Sequence, residues 1–188
     1  GGTIKTRYLK EHLIRSVYGA TSLWIFFYAI TILPLAMATT LNYMSPIWIA
    51  CILFFAAWRK GNNKFDFTFV ATILASFIGV VLLLKPSSDS AQLWGGLIAL
   101  ISGILTALAY VKVKELSVLG EPEYRVVFYF SLVGAVYGLI GCFAVGEIPF
   151  YHPQSAKAIT LLLAIGVTAT LAQMALTRAY RLGNTLLT

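Results

Sequence analysis

The 188 residues are 59% hydrophobic and only 11% charged, and the mean hydropathy is +0.83. A water-soluble domain carries about 25% charged residues, so this composition excludes an ordinary soluble domain and points to a protein whose solvent is lipid. The formal net charge of +7 would suit a nucleic-acid surface if it formed one patch, but the basic residues lie between apolar runs, and that spacing argues against a nucleic-acid partner.

Residues 1–15, GGTIKTRYLKEHLIR, carry Lys5, Arg7, Lys10 and Arg15 and read as a polar loop leading into the first span. From Ser16 to Trp58 there are 43 residues without a charged side chain. At about 1.5 Å rise per residue such a helix would be roughly twice the ~30 Å hydrocarbon thickness, so it must fold back. Pro34 lies near the middle and biases Leu33 away from helical geometry, which places the reversal there. The first span then runs from about Ser16 to Leu33 and the second from about Leu35 to Trp58. Pro46 falls inside the second arm, where it cannot donate its backbone hydrogen bond and leaves the Asn42 carbonyl without its usual helical partner. A freed carbonyl beside the Asn42 amide makes either a polar node of the kind found in the broken helices of secondary transporters or a packing kink satisfied by neighbouring hydroxyls.

Four further charge-free intervals follow. They hold 18 residues between Asp66 and Lys85, 22 between Asp89 and Lys112, 21 between Arg125 and Glu147, and 20 between Lys157 and Arg178. Each is close to the ~20 residues that a spanning helix needs. The expected fold is therefore all-α, a polytopic membrane bundle with six transmembrane helices. If residues 1–15 are cytoplasmic, twelve of the fourteen Lys and Arg fall inside and only Lys85 and Lys157 outside, the orientation favoured by the positive-inside rule. Trp58, Trp94, Phe150 and Tyr151 lie near span ends, as an aromatic belt would. Small residues recur every four positions at Gly95, Ala99, Gly103 and Ala107, at Ala71, Ala75 and Gly79, and at Gly134 and Gly138, spacing that lets helices approach closely.

Polar residues inside the spans are the candidate substrate-cavity positions: Trp24 and Tyr28 in the first span, Asn42, Tyr43 and Pro46 in the second, Thr106 and Tyr110 in the fourth, and Gln173 in the sixth. Thr21, Trp24 and Tyr28 share a helical face, as do Ser102, Thr106 and Tyr110, and Thr170, Gln173 and Thr177. Hydroxyls bond back to their own helix, whereas the primary amides of Asn42 and Gln173 need partners from another helix, water or ligand. Those two amides are thus either cavity lining or glue between helices. No Asp, Glu, Lys, Arg or His lies in the middle of a span, which removes the usual intramembrane proton relay. Cys51 and Cys142 sit singly in apolar runs without metal or disulfide spacing, and no cofactor is expected. GxSxG, HExxH, paired carboxylates and clustered histidines are absent, so an enzyme is disfavoured.

The run FFYAITILPLAMATTLNYMSPIW resembles the third and fourth spans of the EamA branch of the drug/metabolite transporter superfamily. WGGLIALISGILTALAYVKVKEL resembles the start of that family's second repeat, and TATLAQMALTRAYRLGNT resembles the repeat's third span. The resemblance implies spans three to eight of a ten-helix transporter built from two five-helix repeats of opposite topology around a central cavity. Residues 1–84 would be the C-terminal part of the first repeat, and residues 91–188 the N-terminal part of the second. It implies a multi-pass permease of the cell (inner) membrane that moves small metabolites, amino acids and related compounds among them, by alternating access. Its partners would be the bilayer and a small-molecule substrate, with the oligomeric state left open. The competing reading is a non-transporting membrane scaffold or assembly subunit. The chain departs from the family pattern after its second span, where Trp58, Arg59 and Lys60 stand in place of an acidic residue.

Overall fold

A computed structural model describes residues 3–59, 67–84, 90–146 and 155–183. Its described elements are all helical: α1 (Leu9–Ile32), α2 (Leu35–Asn42), α3 (Ser45–Arg59), α4 (Phe67–Leu84), α5 (Ser90–Val118), α6 (Glu123–Val145) and α7 (Ala156–Leu182). Five segments are long and apolar enough to cross a membrane: Leu9–Ile32, Leu35–Ala56, Gln92–Val118, Glu123–Ala144 and Ala156–Leu182. α4 has 18 residues and no charged side chain, but it is not among these five segments. The protein is a polytopic helical membrane bundle, as its composition predicts.

The helix ends follow local chemistry. Pro34 separates α1 from α2 with an extended backbone (φ −53°, ψ 136°) and stands as the N-cap of α2, where the sequence places a break. Gly120 takes φ +82° after α5. Its N–H bonds to the Ser117 carbonyl, and the next N–H, of Glu121, reaches back to Leu116, so the helix closes in a Schellman turn that glycine permits. Pro122 then caps α6. Ser155 caps α7 by accepting the Ala158 N–H.

Two expectations are corrected. Residues 9–15 are the opening turns of α1, not a polar loop, and His12, Arg15 and Ser16 are buried. Pro46 does not kink one continuous helix. The helix stops at Asn42, turns through Tyr43 and Met44, and restarts at Ser45. Pro46 thus occupies the first turn of α3, where a missing N–H costs no helical hydrogen bond.

The chain forms two compact units, Thr21–Tyr110 and Gly1–Ala20 with Val111–Thr188. In the Thr21–Tyr110 unit, Ala29, Leu33, Ala38, Leu41, Met44 and Ala99 form the buried core, and Trp48 meets Phe77 edge-on at 5.4 Å. The small-residue ridge of α5 makes this packing possible. A Cβ on Gly95 would stand 2.9 Å from Ile32 and Leu33 side chains, and one on Gly103 only 3.1 Å from the Leu41 carbonyl oxygen. Gly79, Gly134 and Gly138 have no such neighbour within 4 Å, so their spacing packs nothing among the described residues.

Candidate functional site

In the Thr21–Tyr110 unit, the interruption between α2 and α3 lies against α5. The Asn42 and Leu41 carbonyl oxygens face Gly103, which puts the polar end of α2 within reach of the α5 hydroxyls. Asn42 Nδ2 donates to Ser102 Oγ at 2.9 Å and to Thr106 Oγ1 at 3.4 Å. Ser22 joins from α1: its Oγ donates to the Ser102 carbonyl at 2.8 Å and lies 2.6 Å from Thr106 Oγ1. Ser102 Oγ donates in turn to the Ala99 carbonyl at 2.7 Å. Three helices are therefore tied by one chain of hydrogen bonds around a side-chain amide, in a region otherwise apolar.

Asn42 and Thr106 are thus brought together, as their types suggest. Trp24, Tyr28 and Tyr43 are 47%, 56% and 76% exposed, and Pro46 is exposed at the start of α3. Tyr110 is half-buried on α5. Ser22 is a member that sequence reasoning missed, because a lone membrane serine satisfies itself against its own helix and carries no signal.

Gln173 belongs to the other unit and has a different partner. Its Oε1 accepts from Arg15 Nη2 at 3.0 Å, and the Arg15 guanidinium lies 3.8 Å over the Phe130 ring. Arg15 is 2% exposed. Gly19 makes room for this stacking, since a Cβ there would stand 2.9 Å from Phe130.

Beside it lies a second buried polar cluster. The Schellman turn and Pro122 fix Glu121, 5% exposed, as an acceptor for three donors. Thr6 Oγ1 donates to Oε1 at 2.8 Å, Arg125 Nη1 donates to Oε2 at 2.8 Å, and His12 Nε2 lies 3.1 Å from Oε2. His12 is wholly buried and its ring is 4.8 Å from that of Tyr129. Burial alone would raise the Glu121 carboxyl, but the hydrogen bonds from Arg125, Thr6 and His12 outweigh it and hold it below its ordinary range. Arg125 also donates from Nε and Nη2 to the Thr3 carbonyl at 3.2 and 2.8 Å. Lys112 bridges Glu11 and Glu115 at 2.6 Å each, and Lys114 donates to the Tyr180 and Gly183 carbonyls at the end of α7. The start of α1, the α5–α6 corner and the C-terminal end of α7 consequently share one end of this unit.

Several apolar helices, one of them broken at a polar node, together with a basic end stitched by ion pairs, define the class: a polytopic helical membrane protein. Among known proteins, the chain is 33% identical over 168 residues to the pseudopaline exporter CntI of Pseudomonas aeruginosa strain UCBPP-PA14, covering 89% of this chain and 56% of that protein. The CntI protein of strain PAO1 matches to the same extent. An uncharacterized transporter of Helicobacter pylori strain J99 is 30% identical over 175 residues, covering 91% of this chain and 56% of its own length. The chain therefore spans about half the length of the curated relatives it matches. No protein-family profile matches the chain, and no solved structure does.

Proposed function

We propose that the chain is the middle portion of an EamA-type drug/metabolite transporter that carries a small molecule across the cell (inner) membrane by alternating access. The observation that carries this reading is the similarity to proteins named as an exporter and a transporter over about nine-tenths of the chain. It is supported by the helix interruption at Tyr43 and Met44, since spanning helices broken at the polar node of a bundle are where secondary transporters bind. The substrate would meet Asn42, Tyr43 and Pro46 at that interruption, flanked by Trp24 and Tyr28 of α1 and by Thr106 and Tyr110 of α5; Gln173, in the other unit, is a separate candidate. The Asn42 amide would exchange its bonds to Ser102 and Thr106 for bonds to the substrate, so binding and helix rearrangement would be linked. Residues 1–15 would lie on the cytoplasmic side.

Reconstituted flux by the full-length protein tests transport itself. Asn42→Leu tests the site, because it keeps bulk while removing the amide. Loss of one neutral hydrogen bond to substrate should raise the half-saturation constant about two- to tenfold, beyond whatever thermal stability is lost with the ties to Ser102 and Thr106. A loss of flux that merely tracks stability would assign Asn42 to tying helices together. Absence of flux in the wild-type protein would support a scaffold.

A further inference from the structure

The last three turns of α7 and the first residue of α6 border an open cavity of about 570 Å³ lined by Glu123, Met174, Ala175, Arg178, Arg181 and Leu182. Residues 174, 178, 181 and 182 follow the i, i+4, i+7, i+8 spacing of one helical face. The two arginines there are not equivalent. Arg181 Nη1 donates to Glu123 Oε1 at 3.0 Å, so its guanidinium is held. Arg178 is exposed, makes no hydrogen bond or close ion pair among the described residues, and acts on Glu123 through its charge alone.

A basic residue near a helix C-terminus is ordinarily explained by the helix dipole. Here Lys114 already occupies that place, bonded to the Tyr180 and Gly183 carbonyls. Two guanidinium groups therefore share the charge of one carboxylate, Glu123, and the described lining keeps an excess positive charge beside the apolar Met174, Ala175 and Leu182. A planar guanidinium pairs with phosphate or carboxylate oxygens, and an apolar wall at the end of a spanning helix suits acyl chains entering beneath a headgroup.

We infer that this cavity is an anion site, with Arg178 as the anchor and Arg181 as a second donor oriented by Glu123, taking a phosphate group carried by an anionic lipid or free in solution. The site is separate from the transport reading and stands whether or not the protein moves a substrate.

The full-length protein in mild detergent, offered phosphatidylglycerol or phosphatidylcholine and weighed by native mass spectrometry, tests the inference. Wild type should retain phosphatidylglycerol in preference to phosphatidylcholine. Arg178→Ala should lower that retention about fivefold, and Arg7→Ala, which removes an equal charge from the exposed N-terminal segment, should not. Glu123→Gln leaves both guanidinium groups uncompensated and should raise retention, which keeps the test decisive if Arg178→Ala folds poorly. Inorganic phosphate distinguishes the sources: thermal stabilisation by phosphate that depends on Arg178, without lipid retention, assigns the site to a soluble anion. Equal lipid loss from Arg178→Ala and Arg7→Ala, or no response of either probe to Arg178→Ala and Glu123→Gln, overturns the inference.

Discussion

A carboxylate that receives three donors cannot be removed without leaving buried polar groups behind, and Glu121 is in that position. Glu121→Gln keeps the shape but loses the charge opposite Arg125 and His12. Charge-assisted bonds of this kind contribute about 1.5–3 kcal/mol, and thermal unfolding of the variant in detergent should show a loss of that order. The acid limb gives an independent check. Because the Glu121 carboxyl is held low in the folded protein, its contribution is complete above the unfolded carboxyl value of about 4.3 and is lost as pH falls through the folded value. Wild type should therefore lose stability below about pH 4 more steeply than Glu121→Gln, and parallel curves would contradict the assignment. His12 and Arg15 show why this cluster was illegible in the sequence. Their partners lie 109 and 158 positions away, and a charge before an apolar run looks the same whether it meets water or a distant carboxylate. Asn42 was legible, because an amide in an apolar run must find partners, and the hydroxyl face of Ser102 and Thr106 could be read from spacing alone.

At the scale of elements, the contact between α5 and the end of α2 depends on Gly103. Gly103→Ala would place a Cβ 3.1 Å from the Leu41 carbonyl oxygen and 3.3 Å from that of Asn42, and backbone at a tied helix end yields less than a flexible side chain. Overpacking typically costs about 1–3 kcal/mol. Gly138→Ala, whose Cβ would meet nothing within 4 Å, should be close to neutral in the same unfolding assay. Equal effects would mean that helix propensity, not this contact, governs both sites. The break between α1 and α2 was legible because Pro34 stands between two charge-free stretches of spanning length. At the α2–α3 break the sequence leaves a broken helix and a kink equally open, because proline in the first turn of a new helix and proline within an old one leave the same mark. What distinguishes them is the turn at Tyr43 and Met44, and neither residue is a turn former.

For the whole molecule, the distribution of Lys and Arg predicts which side each loop takes. Cysteines introduced at Thr3 and Leu119, on a background lacking Cys51 and Cys142, should both react with an impermeant maleimide only when the cytoplasmic face is opened. A cysteine at Ser88, outside the described residues, should react in intact cells; the reverse pattern would invert the orientation. That Thr3 and Leu119 share a side already follows from the bonds of Arg125 to Thr3 and of Thr6 to Glu121, whereas which side it is rests on the distribution of Lys and Arg. The bond between His12 and Glu121 also imposes an order on biosynthesis. At about 5–20 residues per second, a ribosome adds the 109 positions between them in roughly 5–20 s. Until Glu121 emerges His12 lacks the carboxylate it meets in the folded protein, and Arg15 lacks its partner until Gln173 of α7 has been made, so the opening turns of α1 reach their final packing only late in synthesis.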